Sequence, residues 1–305
     1  MKNTSMLDTI IGSIVDELEA DLSRCGFMYH IFYRTKSFRS ISEKLEKKAD
    51  EYRAKGKKMQ DLLALRITLY FSDDVDILYQ FLKSKSNFLD ETVDEDDEKT
   101  FCPKRLNLVM NVQNEELRQE MKAYLRTNYP DIVDLLDLTY EIQIRTILSE
   151  GWHEVEHDLR YKCKDDWTGF KEESRLLNGI FATLENSEWS MLTIFDKMAY
   201  SFYKQKSWTN MVRNKMRLRF IDKSLSEEVA NLLSANPTIA KNLFRVHRNK
   251  IIVNVLNSEF KFPLKYDTVV HLLNRLGVKS NLLAQIEPLP LKKELDNLFG
   301  QCGTD

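Results

Sequence analysis

The chain has 305 residues, 43% of them hydrophobic and 30% charged, with a formal net charge of −2. That composition can bury one large core or two smaller ones and excludes fibrous and disordered classes, while the near-neutral balance leaves any nucleic-acid or acidic-membrane partner to a local patch. Cys25, Cys102, Cys163 and Cys302 are scattered without paired spacing, which argues against a zinc site or disulfide framework and fits a reducing cytoplasm. Asp16 and Glu17 interrupt the apolar N-terminal stretch, and no apolar run approaches the roughly 20 residues of a membrane span, so neither a secretory leader nor a membrane partner is expected.

In chain order, Ile10, Ile14, Leu18 and Leu22 recur at i,i+4 and predict an amphipathic helix over residues 7–25. Residues 37–55 read as a charged helix with Ile41 and Leu45 as its apolar edge. The run 62–71 (LLALRITLYF) predicts a buried strand, after which Asp73 and Asp74 cap a helix through Ile77, Leu78 and Phe81. The acidic stretch 90–99 reads as a solvated loop. A strand over 106–112, a helix over 115–129, a strand over 139–145 and a helix over 147–161 follow. Beyond Trp167 the periodicity is helical, first over 176–204 and later over 267–276 with Asp267 as N-cap and Gly277 as stop; residues 251–256 fit either a strand or a helix. The expected class is α/β with a mixed central sheet flanked by helices, divided softly near residue 205 into a domain over 1–205 and a mostly helical region over 206–305.

Several polar residues call for a chemical reason. Asp61 and Glu141 each stand at a strand-like run, and two neighbouring strands could aim both at one Mg2+, an ion that needs few protein oxygens and completes its shell with water and phosphate. Read singly, each is an ordinary surface acid. Arg34, Lys36 and Lys44 fall at the start and along the face of the 37–55 helix, where ammonium groups can meet phosphate oxygens; Arg34 and Arg66 carry planar guanidinium groups able to sandwich a purine. A solvated basic helix face is the plainer reading of these cations. Glu141, Gln143 and Arg145 alternate with Ile142 and Ile144 and so share one strand face, either a ligand cleft or a satisfied ion-pair network. Trp152 reads as core, with Glu156 and His157 hydrogen-bonded beneath the site.

Taken together, Arg34-x-Lys36 with Ser40 and Lys44, Asp61-Leu-Leu-Ala-Leu-Arg66, Glu141-Ile-Gln-Ile-Arg-Thr146 and Trp152-His-Glu-Val-Glu-His157 resemble, in order and spacing, the synthetase domain of the RelA/SpoT family over about residues 25–165. The resemblance implies a nucleotidyltransferase-like sheet and transfer of pyrophosphate from ATP to the 3′-hydroxyl of GDP or GTP, giving the alarmone (p)ppGpp. It implies Asp61 and Glu141 as catalytic Mg2+ ligands, with Arg34, Lys36, Ser40, Lys44 and Arg66 binding ATP. Arg105, Asn107, Gln143 and Arg145 would face the acceptor. One block departs from the family pattern: where relatives carry Tyr-x-Ser-x-His ahead of an apolar strand, this chain has Pro103-Lys-Arg105-Leu-Asn107, with Phe101 as the nearest ring.

That departure keeps other acceptors open: an adenine nucleotide, the 3′ end of tRNA, or none, as in a non-catalytic nucleotide-binding module. A tRNA partner would use the basic region 204–219, where Lys204, Lys206, Arg213, Lys215, Arg217 and Arg219 interleave with Tyr203 and Trp208 and adjoin Phe220. With only about 25 residues ahead of these blocks, a monofunctional synthetase without the hydrolase domain of long family members is expected, and such an unopposed synthetase would call for a regulator or antitoxin; the resemblance itself implies homo-oligomers built through C-terminal helices.

Overall fold

A computed structural model of the protein describes residues 6–49, 52, 56–94 and 106–300. The chain divides into two compact units, one of residues 1–19 and 29–185 and one of residues 20–28 and 186–305.

The first unit is built on a five-stranded sheet in the order β1-β2-β5-β4-β3, from β1 (Tyr29–Thr35), β2 (Leu63–Leu69), β3 (Phe88–Val93), β4 (Leu106–Asn111) and β5 (Thr139–Thr146). Only β2 and β5 are parallel, and the β1/β2, β5/β4 and β4/β3 pairs are antiparallel, so the sheet is mixed, as expected. The helices of this unit are α1 (Met6–Arg24, running on into the second unit), α2 (Phe38–Lys47), α3 (Asp73–Ser84), α4 (Glu115–Asn128) and α5 (Ile147–Glu156).

Strand alternation divides the sheet into two faces. Leu65 and Ile67 on β2, Ile142 and Ile144 on β5, and Leu108 and Met110 on β4 are buried on one face. Phe32 and Arg34 on β1, Ala64 and Arg66 on β2, Asn107 on β4, and Glu141, Gln143 and Arg145 on β5 occupy the other. A central strand with a polar face on one side and branched apolar residues on the other holds its register firmly, because a one-residue slip would bury the charges.

Three local expectations are corrected. Arg34 belongs to strand β1 rather than to the start of a helix: aromatic and β-branched residues in YHIFYRT suit a pleated edge, although most of its side chains are exposed. Helix α2 covers Phe38–Lys47 of the predicted 37–55, with Ser37 as N-cap and Lys48 as C-cap, and residues 50, 51 and 53–55 lie outside those described. The acidic stretch begins as strand β3, whose Asp90 and Glu91 pair with Val109 and Leu108; residues 95–99 lie outside those described. Charged residues along such an edge strand discourage pairing with another chain. Helix α5 continues into a π-helical turn, His157–Tyr161.

The second unit is helical. The long helix α6 (Lys171–Lys204) leads from the first unit into α7 (Trp208–Met216), α8 (Glu227–Ala235), α9 (Pro237–Arg245), α10 (Arg248–Leu256), α11 (Tyr266–Leu273), α12 (Asn281–Gln285) and α13 (Leu289–Phe299). Residues 251–256 are thus helical, with Ile251, Ile252 and Val255 buried. Lys265, not Asp267, is the N-cap of α11; the Asp267 carboxylate instead accepts the Ser226 N–H at 3.0 Å. Gly277 does not stop that helix but sits within a π-helical turn, Asn274–Val278, where a Cβ would come within 2.8 Å of Val246 Cγ2. Residues 20–28 are fastened here. Gly26 has φ of +73°, a conformation that suits glycine, its carbonyl accepts the Arg219 N–H at 2.8 Å, and a Cβ would meet Leu264 Cδ1 at 2.8 Å. Burial pushes the neighbouring Cys25 thiol up to about 12, so it is an inert core residue. Among the described residues no helix is long and apolar enough to cross a membrane.

Candidate active site

The turn from β5 into α5 sets the site's geometry. Thr146 caps α5 in a reciprocal box: its hydroxyl accepts the Ser149 N–H at 3.2 Å, and the Ser149 hydroxyl accepts the Thr146 N–H at 3.2 Å. With no loop between strand and helix, Glu150 in the first helical turn folds back beside Arg145, and Glu154 stands one turn further along the same face.

The polar sheet face and α5 are joined by a continuous network. Asn107 Nδ2 and Gln143 Nε2 donate to Glu141 Oε1 at 3.3 and 2.8 Å. Gln143 Oε1 accepts Arg66 Nε at 3.2 Å, and Arg66 NH1 donates to Glu150 Oε1 at 2.5 Å and also to Glu154 Oε1. The second oxygen of Glu150 takes Arg145 NH1 at 3.0 Å. Burial lowers the pKa of Arg145, helped by the nearby Arg66, with Glu150 opposing both. Beneath them His153 is held neutral, its pKa pushed down to about 3 by burial and by Arg145 and Arg66. A cleft of about 580 Å³ opens over this network, and its lining includes Arg34, Ala64, Arg66, Gln143, Arg145, Glu150, Glu154 and His157.

Asp61 stands in a second cluster, outside that lining. Its Oδ2 receives Lys44 Nζ at 2.6 Å and Lys36 Nζ at 2.9 Å, while Oδ1 is buried without a hydrogen-bond partner. Burial alone would raise the Asp61 pKa, but Lys44 and Lys36 outweigh it and hold the carboxyl below the usual range. Lys36 is anchored through its backbone N–H to the Leu62 carbonyl at 2.9 Å, and Lys44 lies one turn beyond Ser40, whose hydroxyl is 3.0 Å from that of Ser37.

Strands β2 and β5 are direct neighbours, but Ala64 is the residue level with Glu141, and Asp61 precedes β2, ahead of a bend at Leu62. The structure therefore places Arg34, Arg66, Gln143 and Arg145 around one cleft, and gathers Asp61, Lys36 and Lys44 into a separate cluster with Ser40 a helical turn away. Arg105, Phe101 and Pro103 lie outside the described residues.

Sequence reasoning missed Glu150 and Glu154; the available signal was a pair of carboxylates at i,i+4 directly after a strand carrying an arginine. Trp152 is core as expected, its Nε1 donating to the Leu177 carbonyl at 2.9 Å. Glu156 accepts Arg160 Nε at 3.2 Å. His157 differs from expectation: it lines the cleft, stacked on Tyr161 at 5.7 Å with Nδ1 3.1 Å from Asp158 Oδ1, because it follows Glu150 and Glu154 at i+7 and i+3 on the same helix face.

The basic region 204–219 is largely engaged within its own unit. Arg213 Nε donates to the Tyr266 hydroxyl at 2.6 Å, Lys215 meets Asp196 at 3.2 Å, Arg217 is buried, and Phe220 stacks on Tyr266 with centroids 4.0 Å apart.

A mixed sheet with flanking helices thus carries two clusters of cations, one of them around an open cleft, a charge pattern that suits phosphate oxygens. Residues 33–166 match the family described as "Region found in RelA / SpoT proteins", and over that segment the resemblance carried by the motifs is borne out. Among solved structures, the chain is similar to small alarmone synthetase 2 from Bacillus subtilis at 22% identity, covering 64% of this chain and 98% of that one with a TM-score of 0.44. It is also similar to small alarmone synthetase 1 from the same organism at 23% identity, covering 61% of this chain and 92% of that one with a TM-score of 0.40; that structure holds the product pppGpp. No curated protein sequence matches the chain.

Proposed function

We propose that the protein is an ATP-dependent pyrophosphotransferase that makes (p)ppGpp from GDP or GTP. The observation that carries this reading is Asp61, whose carboxylate is shared by Lys36 and Lys44 on one oxygen and left buried and unpartnered on the other, within the segment that matches the RelA/SpoT region. A buried carboxylate oxygen with no donor is costly unless something positive completes it. A hard divalent cation such as Mg2+ fits it, and Asp61 and Glu141 are the residues that would hold the ion, which on binding would neutralise charge on the phosphate oxygens. Among the described residues no group of three or more His, Cys, Asp or Glu is assembled for a metal, so substrate oxygens and water would fill the rest of its shell.

Lys36 and Lys44, released from Asp61, grip the polyphosphate, while Arg34 and Arg66 hold the adenine. Glu141, fixed by Asn107 and Gln143, accepts the proton of the acceptor's 3′-hydroxyl. That oxygen bonds to the β-phosphorus of ATP, the bond from the β-phosphorus to the bridging oxygen breaks, and AMP leaves with the electron pair. General-base assistance of this kind is worth roughly 10²- to 10⁴-fold, so Glu141→Gln should slow transfer by at least that factor. The test is transfer of label from γ-labelled ATP to GDP, GTP, ADP or tRNA with Mg2+ present. Label in guanine nucleotide that depends on Glu141 supports the reading; label in ADP or tRNA overturns the acceptor, and label nowhere overturns catalysis.

A further inference from the structure

We propose that Glu150 and Glu154 are positioning residues that hold Arg66 by its edge, making it the fixed jaw of a base clamp whose moving jaw is Arg34. The inference rests on reading the cleft as the adenine site. A guanidinium donates hydrogen bonds in its own plane and stacks through its faces. Arg66 is held at that edge from two sides: Nε by Gln143 on the neighbouring strand, and NH1 by Glu150 and Glu154 on α5. Such anchors fix the plane and leave its faces for a ring.

Arg34 is built differently. It is exposed on edge strand β1, and no hydrogen bond or ion pair joins its side chain to any other described residue. Arg34 pairs across the strands with Ala64, which places it diagonally from Arg66 on the same face. Diagonal neighbours of an antiparallel pair stand roughly 7–8 Å apart, close to what a flat ring between two planar groups requires. The methyl group of Ala64 lies at the floor between them, lining the cleft without filling it.

Glu150 has a further task. It gives one oxygen to Arg66 and the other to Arg145, so one carboxylate sets both cations and offsets their repulsion. The opposite view, that the carboxylates mask Arg66 and compete with ATP, makes the opposite prediction.

The test measures binding of a non-hydrolysable ATP analogue and of inorganic tripolyphosphate, together with KM for ATP and kcat, for Arg66→Ala, Glu150→Ala, Glu154→Ala and Glu154→Gln. Loss of preorganisation should weaken the analogue roughly 5- to 10-fold in each alanine variant. KM should rise in step, with kcat within about twofold and tripolyphosphate binding not weakened, since only the base grip is disturbed. Glu154→Gln, which still accepts a hydrogen bond, should restore much of the loss. If Arg66→Ala binds the analogue as the wild type does, the adenine reading fails. If Arg66→Ala weakens it but both glutamate variants bind normally or tighter, the positioning role fails while the adenine reading stands. Glu154 is half-exposed, so Glu154→Ala carries the test should Glu150→Ala fail to fold.

Discussion

Arg66 in the first unit and Arg275 in the second are each gripped by two carboxylates, yet the two clusters have opposite characters. Arg275 NH2 stands 2.6 Å from Glu287 and 2.7 Å from Asp296, its side chain is 1% exposed and that of Glu287 is 0% exposed. Arg66 with Glu150 and Glu154 is 22% exposed and borders the cleft. A sealed ion pair is spent on holding helices together, and its charges are unavailable to a ligand. An ion pair at a cleft wall can trade or share its partners when a ligand arrives. Charge clustering in a sequence does not separate the two; access to solvent does.

Breaking the sealed cluster should have the largest effect. Arg275→Ala leaves the Glu287 carboxylate buried without its partner, and loss of roughly 3–5 kcal/mol of stability is expected from chemical denaturation. Arg275→Met combined with Glu287→Leu should recover most of that loss, because the burial cost of both charges disappears together.

Acid should come next. His153 is held neutral with its pKa at about 3 against an ordinary value of 6.5, and burial likewise lowers His271, beside the Arg275 cluster, to about 4. Each takes up its proton more readily when unfolded, so stability should fall as pH drops below roughly 6.5, continuing to about 4 for His271 and to about 3 for His153. The His153 share is a few kcal/mol at most, and pH-dependent melting of His153→Gln should show a shallower acid limb.

The smallest stability effect should follow Arg66→Ala. Glu150 keeps Arg145 as a partner, so the loss is expected to stay under about 1 kcal/mol even though binding of the ATP analogue suffers. A loss as large as that at Arg275 would erase the contrast between the clusters.

Much of this organisation was legible in the sequence, and the residues missed are instructive. Strands β2, β4 and β5 stood out because their apolar residues are dense, whereas β1 and β3 are edge strands with too few buried side chains to leave an alternating signal. The N-cap of α11 was misplaced because Asp267, a common capping residue, is used against Ser226 instead. Gly277 looked like a helix stop, but its role is close packing against Val246. The polar face of β5 could be read from alternation alone. The split between the Asp61 cluster and the cleft could not, since it depends on strand register. Glu150 and Glu154 were hidden for a similar reason: their partners Arg66 and Arg145 come together only through the parallel pairing of β2 with β5 and the abrupt turn at Thr146.

The fastening of residues 20–28 governs the order in which the chain can be completed. Arg24 donates to the Val255 carbonyl at 2.5 Å and also to that of Ser258, Gly26 bonds Arg219, and Phe27 is wholly buried. A ribosome extending the chain at roughly 5–20 residues per second reaches those partners on the order of tens of seconds after it has made Phe27. During that interval the sheet-bearing unit can assemble, but a stretch of its first helix still lacks its cover. A chain ending near residue 205 would remain in that state, with an apolar collar at Phe27 open to chaperones or to other nascent chains.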